Sequence, residues 1–111
     1  MRKKSTREVG DEFENDLLSR LGPGFRMTAG SGSKWRDGDL SHRAVVLEAK
    51  VKNSTEGFSA PLRELNKLWD RAEMEGKDWI YAQKNSTGRK MLLIDLEFFL
   101  EISEEWRARN A

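Results

Sequence analysis

The sequence predicts an α/β fold in which a single mixed β-sheet is flanked by helices. Three observations lead to this prediction. The length of 111 residues suits one domain, helical and strand periodicities alternate along the chain, and 37% hydrophobic residues with nine glycines is a globular composition. We therefore expect residues 1–111 to form a single domain, with a basic, flexible arm at residues 1–5.

The first predicted helix covers residues 6–21. Ser5 and Glu8 have the spacing of a capping box, apolar residues follow at helical intervals, and Gly22-Pro23 ends the pattern. Alternation over residues 25–29 then predicts a half-buried strand.

A glycine-rich, basic and aromatic loop at residues 30–36 follows this strand. The next predicted strand is short, at Asp39-Leu40, and turns through residues 41–43 into the strand 44–51, the clearest in the chain. We expect these two strands to form a hairpin, and we assign His42 to the turn without a chemical role.

The second half of the chain predicts a helix, two strands and a final helix. Ser59 is expected to cap the second helix, with Pro61 in its first turn and Gly76 at its end. Strands 79–84 and 89–94 are joined by a turn, and Asp95 caps the last helix. The predicted apolar stripe of the second helix is Leu62, Leu65, Leu68, Trp69 and Ala72. The element order is α-β-β-β-α-β-β-α.

Composition excludes several classes of site. The sequence has no cysteine and one histidine, which rules out disulfides, thiol catalysis and zinc sites that need two or more such ligands. No apolar run approaches the roughly 18 residues that a membrane-spanning helix needs, and no signal peptide follows the basic start. We expect a cytoplasmic protein without a membrane partner, and metal binding through carboxylates stays open.

Charge is distributed unevenly along the chain. Residues 26–52 hold six basic and three acidic residues, whereas residues 53–79 and 91–111 are net acidic. A second basic patch, at residues 80–90, contains no acid. This asymmetry fits a face that meets a polyanion such as nucleic acid, and it also fits an ordinary solvated surface.

Alternation along the strand 44–51 puts Glu48 and Lys50 on the same face. A carboxylate and an ammonium about 6–7 Å apart on a central strand cost desolvation, which a bound metal and a phosphate would offset. The alternative is an ion pair across strands on an exposed face.

The predicted hairpin returns Asp39 to the neighbourhood of Glu48, although the sequence does not fix the register. Mg²⁺ prefers oxygen ligands, and two carboxylates beside a substrate phosphate can supply them. Asp37 is a rival of Asp39 for this role.

Glu14 is the acid of the first helix that we expect to face the sheet. At about 100° per residue, it falls inside the apolar arc of that helix, whereas Asp11, Glu12 and Asp16 fall outside it. The alternative role for Glu14 is a salt bridge to a residue such as Arg26.

The series Glu14, Asp39-Leu40 and Glu48-Ala49-Lys50 resembles the signature of the PD-(D/E)XK nucleases. A longer pattern over residues 10–52 resembles the archaeal-type Holliday junction resolvases. Its segments are Gly10-x-x-x-Glu14, Leu17-Leu18, Gly24-Phe25-Arg26, Ala29-Gly30-Ser31, Gly38-Asp39-Leu40 and Glu48-Ala49-Lys50-Val51-Lys52. The chain departs from the family at Asn15, at Gly38 and in the inserted Lys34-Trp35-Arg36.

This resemblance implies a restriction-endonuclease-like core and hydrolysis of DNA phosphodiesters. Asp39, Glu48 and the backbone carbonyl of Ala49 would bind Mg²⁺, for which Mn²⁺ could substitute, with Glu14 in support. Lys50 would orient the attacking water or stabilise the transition state, and Ser31 matches a serine of the family's active-site loop.

The same resemblance implies branched double-stranded DNA as the substrate and a homodimer as the active form. Trp35 would stack on a base or wedge into a branch point. The other expected DNA-binding residues are Arg7, Arg26, Lys34, Arg36, Lys52 and Lys84, of which Lys84 is assigned by resemblance. The last helix has an apolar arc of about 200°, wider than a one-sided core needs, so part of it is expected to meet a second chain.

The leading hypothesis is therefore a metal-dependent, structure-selective endodeoxyribonuclease that resolves four-way DNA junctions. The first alternative is a nickase or a general or flap nuclease of the same fold in replication or repair. The second is a DNA-binding module without catalytic activity, in which the acids are structural.

Overall fold

The computed structural model describes residues 5–27 and 39–110, without the side chains of Thr6, Arg7 and Asp39. These residues form an α/β fold with one five-stranded mixed sheet and three helices, in the predicted order. The helices are α1 (Thr6–Leu21), α2 (Leu62–Glu75) and α3 (Leu96–Arg109). The strands are β1 (Arg26–Met27), β2 (Asp39–Ser41), β3 (Val45–Lys52), β4 (Asp78–Asn85) and β5 (Lys90–Ile94).

The predicted capping signals of α1 and α3 are confirmed. The Ser5 hydroxyl accepts a hydrogen bond from the Glu8 N–H at 3.1 Å, and the Glu8 carboxylate accepts one from the Ser5 N–H. The Asp95 carboxylate accepts hydrogen bonds from the backbone N–H groups of Glu97 and Phe98. Both caps satisfy N–H groups that the first turn of a helix leaves without partners.

The prediction that Ser59 caps α2 is wrong. Pro61 occupies the N-cap position and makes no side-chain cap hydrogen bond. The backbone of Ser59 instead pairs with the Gln83 side chain, donating to its Oε1 at 2.9 Å and accepting from its Nε2 at 2.6 Å. Gly76 does end α2, in the left-handed conformation with φ of 66°.

The sheet has the strand order β1-β2-β3-β4-β5. The expected hairpin is present, because β2 pairs antiparallel with β3. Strands β3 and β4 run parallel and are connected through α2, whereas β4 and β5 form an antiparallel hairpin around Gly88, whose φ is 87°. The parallel pair at the centre makes the sheet mixed, as predicted.

The two faces of the sheet have separate hydrophobic clusters. On one face, Phe13 of α1 packs with Leu40, Leu47, Ala49 and Ala82. We call this the α1 face. On the other, the α2 face, Leu68 and Ala72 pack with Val46 and Tyr81. Strands β3 and β4 therefore contribute alternate residues to two different environments.

Two members of the predicted α2 stripe do not join this core. Leu62 is 72% exposed and Trp69 is 46% exposed. Trp69 stacks on Trp79 with ring centroids 6.1 Å apart, and its indole N–H donates to Glu73. An indole has a polar edge that is satisfied more easily at the rim of a core than inside it.

Helix α3 contributes little to the core. Phe98 is its one buried residue, with 9% exposure. Its exposed apolar residues are Leu96, Phe99, Leu100, Ile102 and Trp106. The wide apolar arc predicted from the sequence is therefore largely open to solvent in the single chain.

Candidate active site

The register of the β2–β3 hairpin brings together the residues of the predicted acidic site. Asp39 is the backbone register partner of Glu48, a relationship that the sequence alone left open. Lys50 follows two residues later on β3, on the same face as Glu48. The backbones of register partners on neighbouring strands are about 5 Å apart.

A polar network on the α2 face holds Lys50. Its ammonium lies 3.5 Å from Oε1 of Glu64, which is on α2. Oε2 of Glu64 accepts a hydrogen bond from the Tyr81 hydroxyl at 3.1 Å, and the same hydroxyl accepts one from Nε2 of Gln83 at 3.2 Å. Since the Lys50 side chain is only 20% exposed, this network restricts its position.

Tyr81 lies at the centre of this network and is fully buried. It is in register with Glu48 across the parallel β3–β4 pair. Burial raises the pKa of its phenol well above the ordinary value, and the negative charges of Glu64 and Glu48 raise the pKa further. Tyr81 is therefore a protonated hydrogen-bond donor at neutral pH.

A small cavity opens where α2 passes over β3. Its volume is about 280 Å³, and it is lined by Glu48, Arg63, Glu64 and Lys67. The strand supplies one acid, and about one turn of α2 supplies a second acid, Glu64, and two cations, Arg63 and Lys67. The site is therefore mixed in charge rather than purely acidic.

Glu14 approaches the sheet from the other side. It is 4% exposed, which confirms that it faces the protein interior, and its neighbour Phe13 packs on the α1 face. Ala49 also points to the α1 face, because it alternates with Glu48 and Lys50. The structure thus brings Glu48 and Lys50 together with Glu64 on the α2 face. Glu14, in contrast, is on a helix that packs on the α1 face.

The oxygen donors at this hairpin suit Mg²⁺ in chemical type. The Glu48 carboxylate, the Ala49 carbonyl and the Asp39 register position lie on adjacent β-strand residues, and hard cations prefer such oxygens. In the part of the chain that the structure describes, no three acidic or imidazole side chains gather into a metal-binding group. The Asp39 side chain lies outside that description.

Several other predicted site residues belong to segments outside the described residues. Residues 28–38 lie outside the described part of the chain, as does the side chain of Arg7. These residues include Ser31, Lys34, Trp35, Arg36 and the rival acid Asp37.

The described members of the predicted DNA-binding set fall in three places. Lys52 lies at the end of β3 on the same face as Lys50, and it is half-buried. Lys84 projects from β4 on the α1 face, because its register partner Val51 packs on that face. Lys84 is thus on the opposite side of the sheet from Glu48.

Arg26 is exposed and lines a separate cavity of about 640 Å³ at the turn end of the hairpin. Three other basic or titratable residues line this cavity, namely His42, Arg43 and Lys77. His42 lies in the turn, as predicted, where its ring packs 4.9 Å from Phe25 and its Nδ1 accepts a hydrogen bond from the Ala44 N–H.

Sequence analysis missed Glu64, Tyr81 and Gln83. A signal for each was present. Glu64 precedes Leu68 and Ala72 by four and eight residues, so it lies on their buried stripe, by the same argument that singled out Glu14. Tyr81 and Gln83 alternate with the apolar Ile80 and Ala82, as Glu48 and Lys50 do on the parallel neighbour.

Comparisons with known proteins do not identify a family. No protein-family model, curated protein or solved structure matches this chain. Among the described residues, no helix is both long enough and apolar enough to cross a bilayer.

Proposed function

We propose that this chain is a metal-dependent, structure-selective endodeoxyribonuclease with a restriction-endonuclease-like core, and that it resolves four-way DNA junctions. The observation that carries this proposal is the direct register of Asp39 with Glu48, with Lys50 on the same face and held by Glu64. An acid pair beside a lysine can hold a metal ion and stabilise the charge that develops when a phosphodiester is hydrolysed.

Asp39, Glu48 and the Ala49 carbonyl are the residues that would hold Mg²⁺, with Mn²⁺ as a substitute. When bound, such an ion lowers the pKa of a coordinated water and neutralises charge on the phosphate. Lys50 stabilises the negative charge that develops on the phosphate oxygens, and its contact with Glu64 fixes it for this purpose.

The second partner that we propose is another copy of this chain. Two opposed strands of a junction require two active sites, and α3 presents a broad apolar surface to solvent. Its first turn carries Glu97, whereas its last turn carries Arg107 and Arg109. Arg109 is already paired with Glu105 at 2.6 Å, so exposed apolar residues such as Ile102, rather than the end charges, would carry a contact between two antiparallel α3 helices.

One observation favours the alternative of a DNA-binding module without catalysis. Because Lys50 already forms an ion pair with Glu64, the charges of the strand have a structural partner in the absence of substrate. In that case the basic cavity at Arg26 and the cations of α2 would bind DNA phosphates, and Glu48 would have no catalytic role.

The test compares cleavage of a labelled four-way junction with cleavage of matched linear duplex, with and without Mg²⁺. The Glu48→Ala protein should bind the junction and fail to cut it, with a rate loss of about 1,000-fold or more. Asp70→Ala is a matched surface control, because Asp70 is an exposed acid of α2 and its loss removes the same charge. Paired, symmetric cuts would support a resolvase.

Other results would select a different function. Single nicks, or equal cutting of duplex and flap substrates, would keep the nuclease and reject the resolvase. Binding without any cut, or cutting that survives Glu48→Ala, would refute the proposed nuclease site.

A further inference from the structure

Helix α2 directs two cations into the cavity that contains Glu48. Arg63 and Lys67 both line this cavity of about 280 Å³. They are four residues apart, so they lie one turn above the other on the same side of the helix. The sequence analysis assigned no role to either residue.

Like charges at this spacing repel each other and destabilise a helix. Within the described part of the chain, neither side chain forms a hydrogen bond or an ion pair, in contrast to Lys50 and Arg71, which pair with Glu64 and Glu75. An anion in the cavity would offset the repulsion. The cavity also contains the acids Glu48 and Glu64, so it is the α2 side with Arg63 and Lys67 that suits a ligand with negative charge.

The cavity also limits the size of that ligand. Pockets that hold small molecules measure about 300–1,000 Å³. A volume of about 280 Å³ is just below this range, which suits one phosphate group with its waters better than a whole nucleotide. An anion here would lie near two carboxylates, Glu48 on the strand and Glu64 on α2, of which Glu64 is already paired with Lys50. Arg63 and Lys67 would supply the positive charge that holds such an anion.

We propose that Arg63 and Lys67 bind one phosphate of the DNA strand and position it next to Glu48. This inference rests on the proposed nuclease function. The planar guanidinium of Arg63 can contact two phosphate oxygens at once, and the ammonium of Lys67 adds a compact charge. Both are positioning residues, since they orient the phosphate while the strand acids carry the chemistry.

The first experiment does not depend on cleavage. In EDTA, the wild-type chain is titrated with a short oligothymidylate, and the side-chain Nε–H signal of Arg63 is followed by NMR. The Arg63 signal should shift, whereas that of Arg20 on α1 should not. Arg20 is exposed and already paired with Asp16, and its helix packs on the opposite face of the sheet.

The second experiment measures single-turnover cleavage of the junction at saturating protein in Mg²⁺. The variant is Arg63→Gln with Lys67→Gln, and the matched control is Arg20→Gln with Arg71→Gln, which removes the same charge at two positions that form ion pairs within their own helices. The variant should cleave about 100-fold more slowly than the wild type. The slope of its log binding constant against log salt concentration should become shallower by about the amount that one phosphate contact contributes. The control should keep the wild-type rate.

The possible results separate the two proposals. A shift at Arg63 with no cleavage by the wild type would support phosphate binding at α2 and refute the nuclease. An unshifted Arg63 signal, an unchanged rate in the variant, or an equal loss in the control would overturn the role of Arg63 and Lys67, and the nuclease would then stand or fall by Glu48→Ala.

Discussion

The ammonium of Lys50 lies 3.5 Å from Oε1 of Glu64, so a carboxylate on α2 holds the lysine of the strand that carries Glu48. Both side chains are largely shielded from solvent, with 20% and 28% exposure. Glu64 also accepts the hydrogen bond from the buried Tyr81 hydroxyl. This connects the candidate active site to the core through one acid, and it makes Glu64 a positioning residue for Lys50.

Glu64→Gln should slow junction cleavage about 10-fold without weakening the binding of DNA, because the amide no longer attracts Lys50 but retains a similar shape. The measurement is single-turnover cleavage at saturating protein, together with a binding titration in Ca²⁺. Asp70→Asn is the control, since Asp70 is an exposed acid of the same helix. A loss of affinity that accounts for the slower rate, or an equal effect of Asp70→Asn, would contradict the positioning role.

Tyr81 should resist ionisation as long as the chain is folded. It is the single tyrosine of the sequence, so tyrosinate absorbance in the near ultraviolet reports on it alone. Burial, with Glu64 and Glu48 nearby, raises its pKa. The tyrosinate signal should therefore not appear near the ordinary value of about 10, and should appear only when the protein unfolds.

The raised pKa also has a consequence for stability. Above about pH 10 the unfolded chain releases the phenolic proton while the folded chain retains it, so the free energy of unfolding decreases as the pH rises. Below that pH this contribution is fully present. Urea unfolding at several alkaline pH values should show the decrease in wild type and a smaller one in Tyr81→Phe; identical profiles would show that Tyr81 does not ionise differently in the two states.

Ile102→Glu should convert a dimer into a monomer. Ile102 lies in the middle of α3, is 54% exposed, and would be buried by antiparallel contact with a second α3. A charge at the centre of such an interface is not compensated. Analytical ultracentrifugation at several protein concentrations measures the oligomeric state, with Met74→Glu as the control. A wild-type protein that is monomeric at all concentrations, or a dimer that persists in Ile102→Glu, would exclude this interface.

Two glycine substitutions should have opposite effects on stability. Gly76 ends α2 at φ of 66°, a conformation that alanine adopts at a cost of about 1 kcal/mol or more. Gly10 lies within α1, where alanine is favoured by about 1 kcal/mol. A methyl group would meet nothing within 4 Å at either position, so backbone conformation alone is compared. The midpoint of thermal unfolding should be higher than wild type for Gly10→Ala and lower for Gly76→Ala. A shift in the same direction for both variants would contradict the backbone conformations assigned to these glycines.

The sequence by itself determined the secondary structure and its order. Capping patterns at Ser5 and Asp95, the glycine at 76 and the alternation along β3 act over a few residues, and each was predicted and observed. The burial of Glu14 was likewise predicted, because helical periodicity alone puts it among apolar neighbours.

Only the tertiary structure decided which of these residues meet. The register of Asp39 with Glu48 depends on how the hairpin closes, and the contact of Glu64 with Lys50 depends on how α2 crosses the parallel strands. Ser59 shows the same limit, since its backbone bonds to Gln83, 24 residues away, instead of capping α2. Local patterns specify the direction of a side chain within its own element, whereas the partner of a polar group is chosen by packing between distant elements, where an unsatisfied group would be costly.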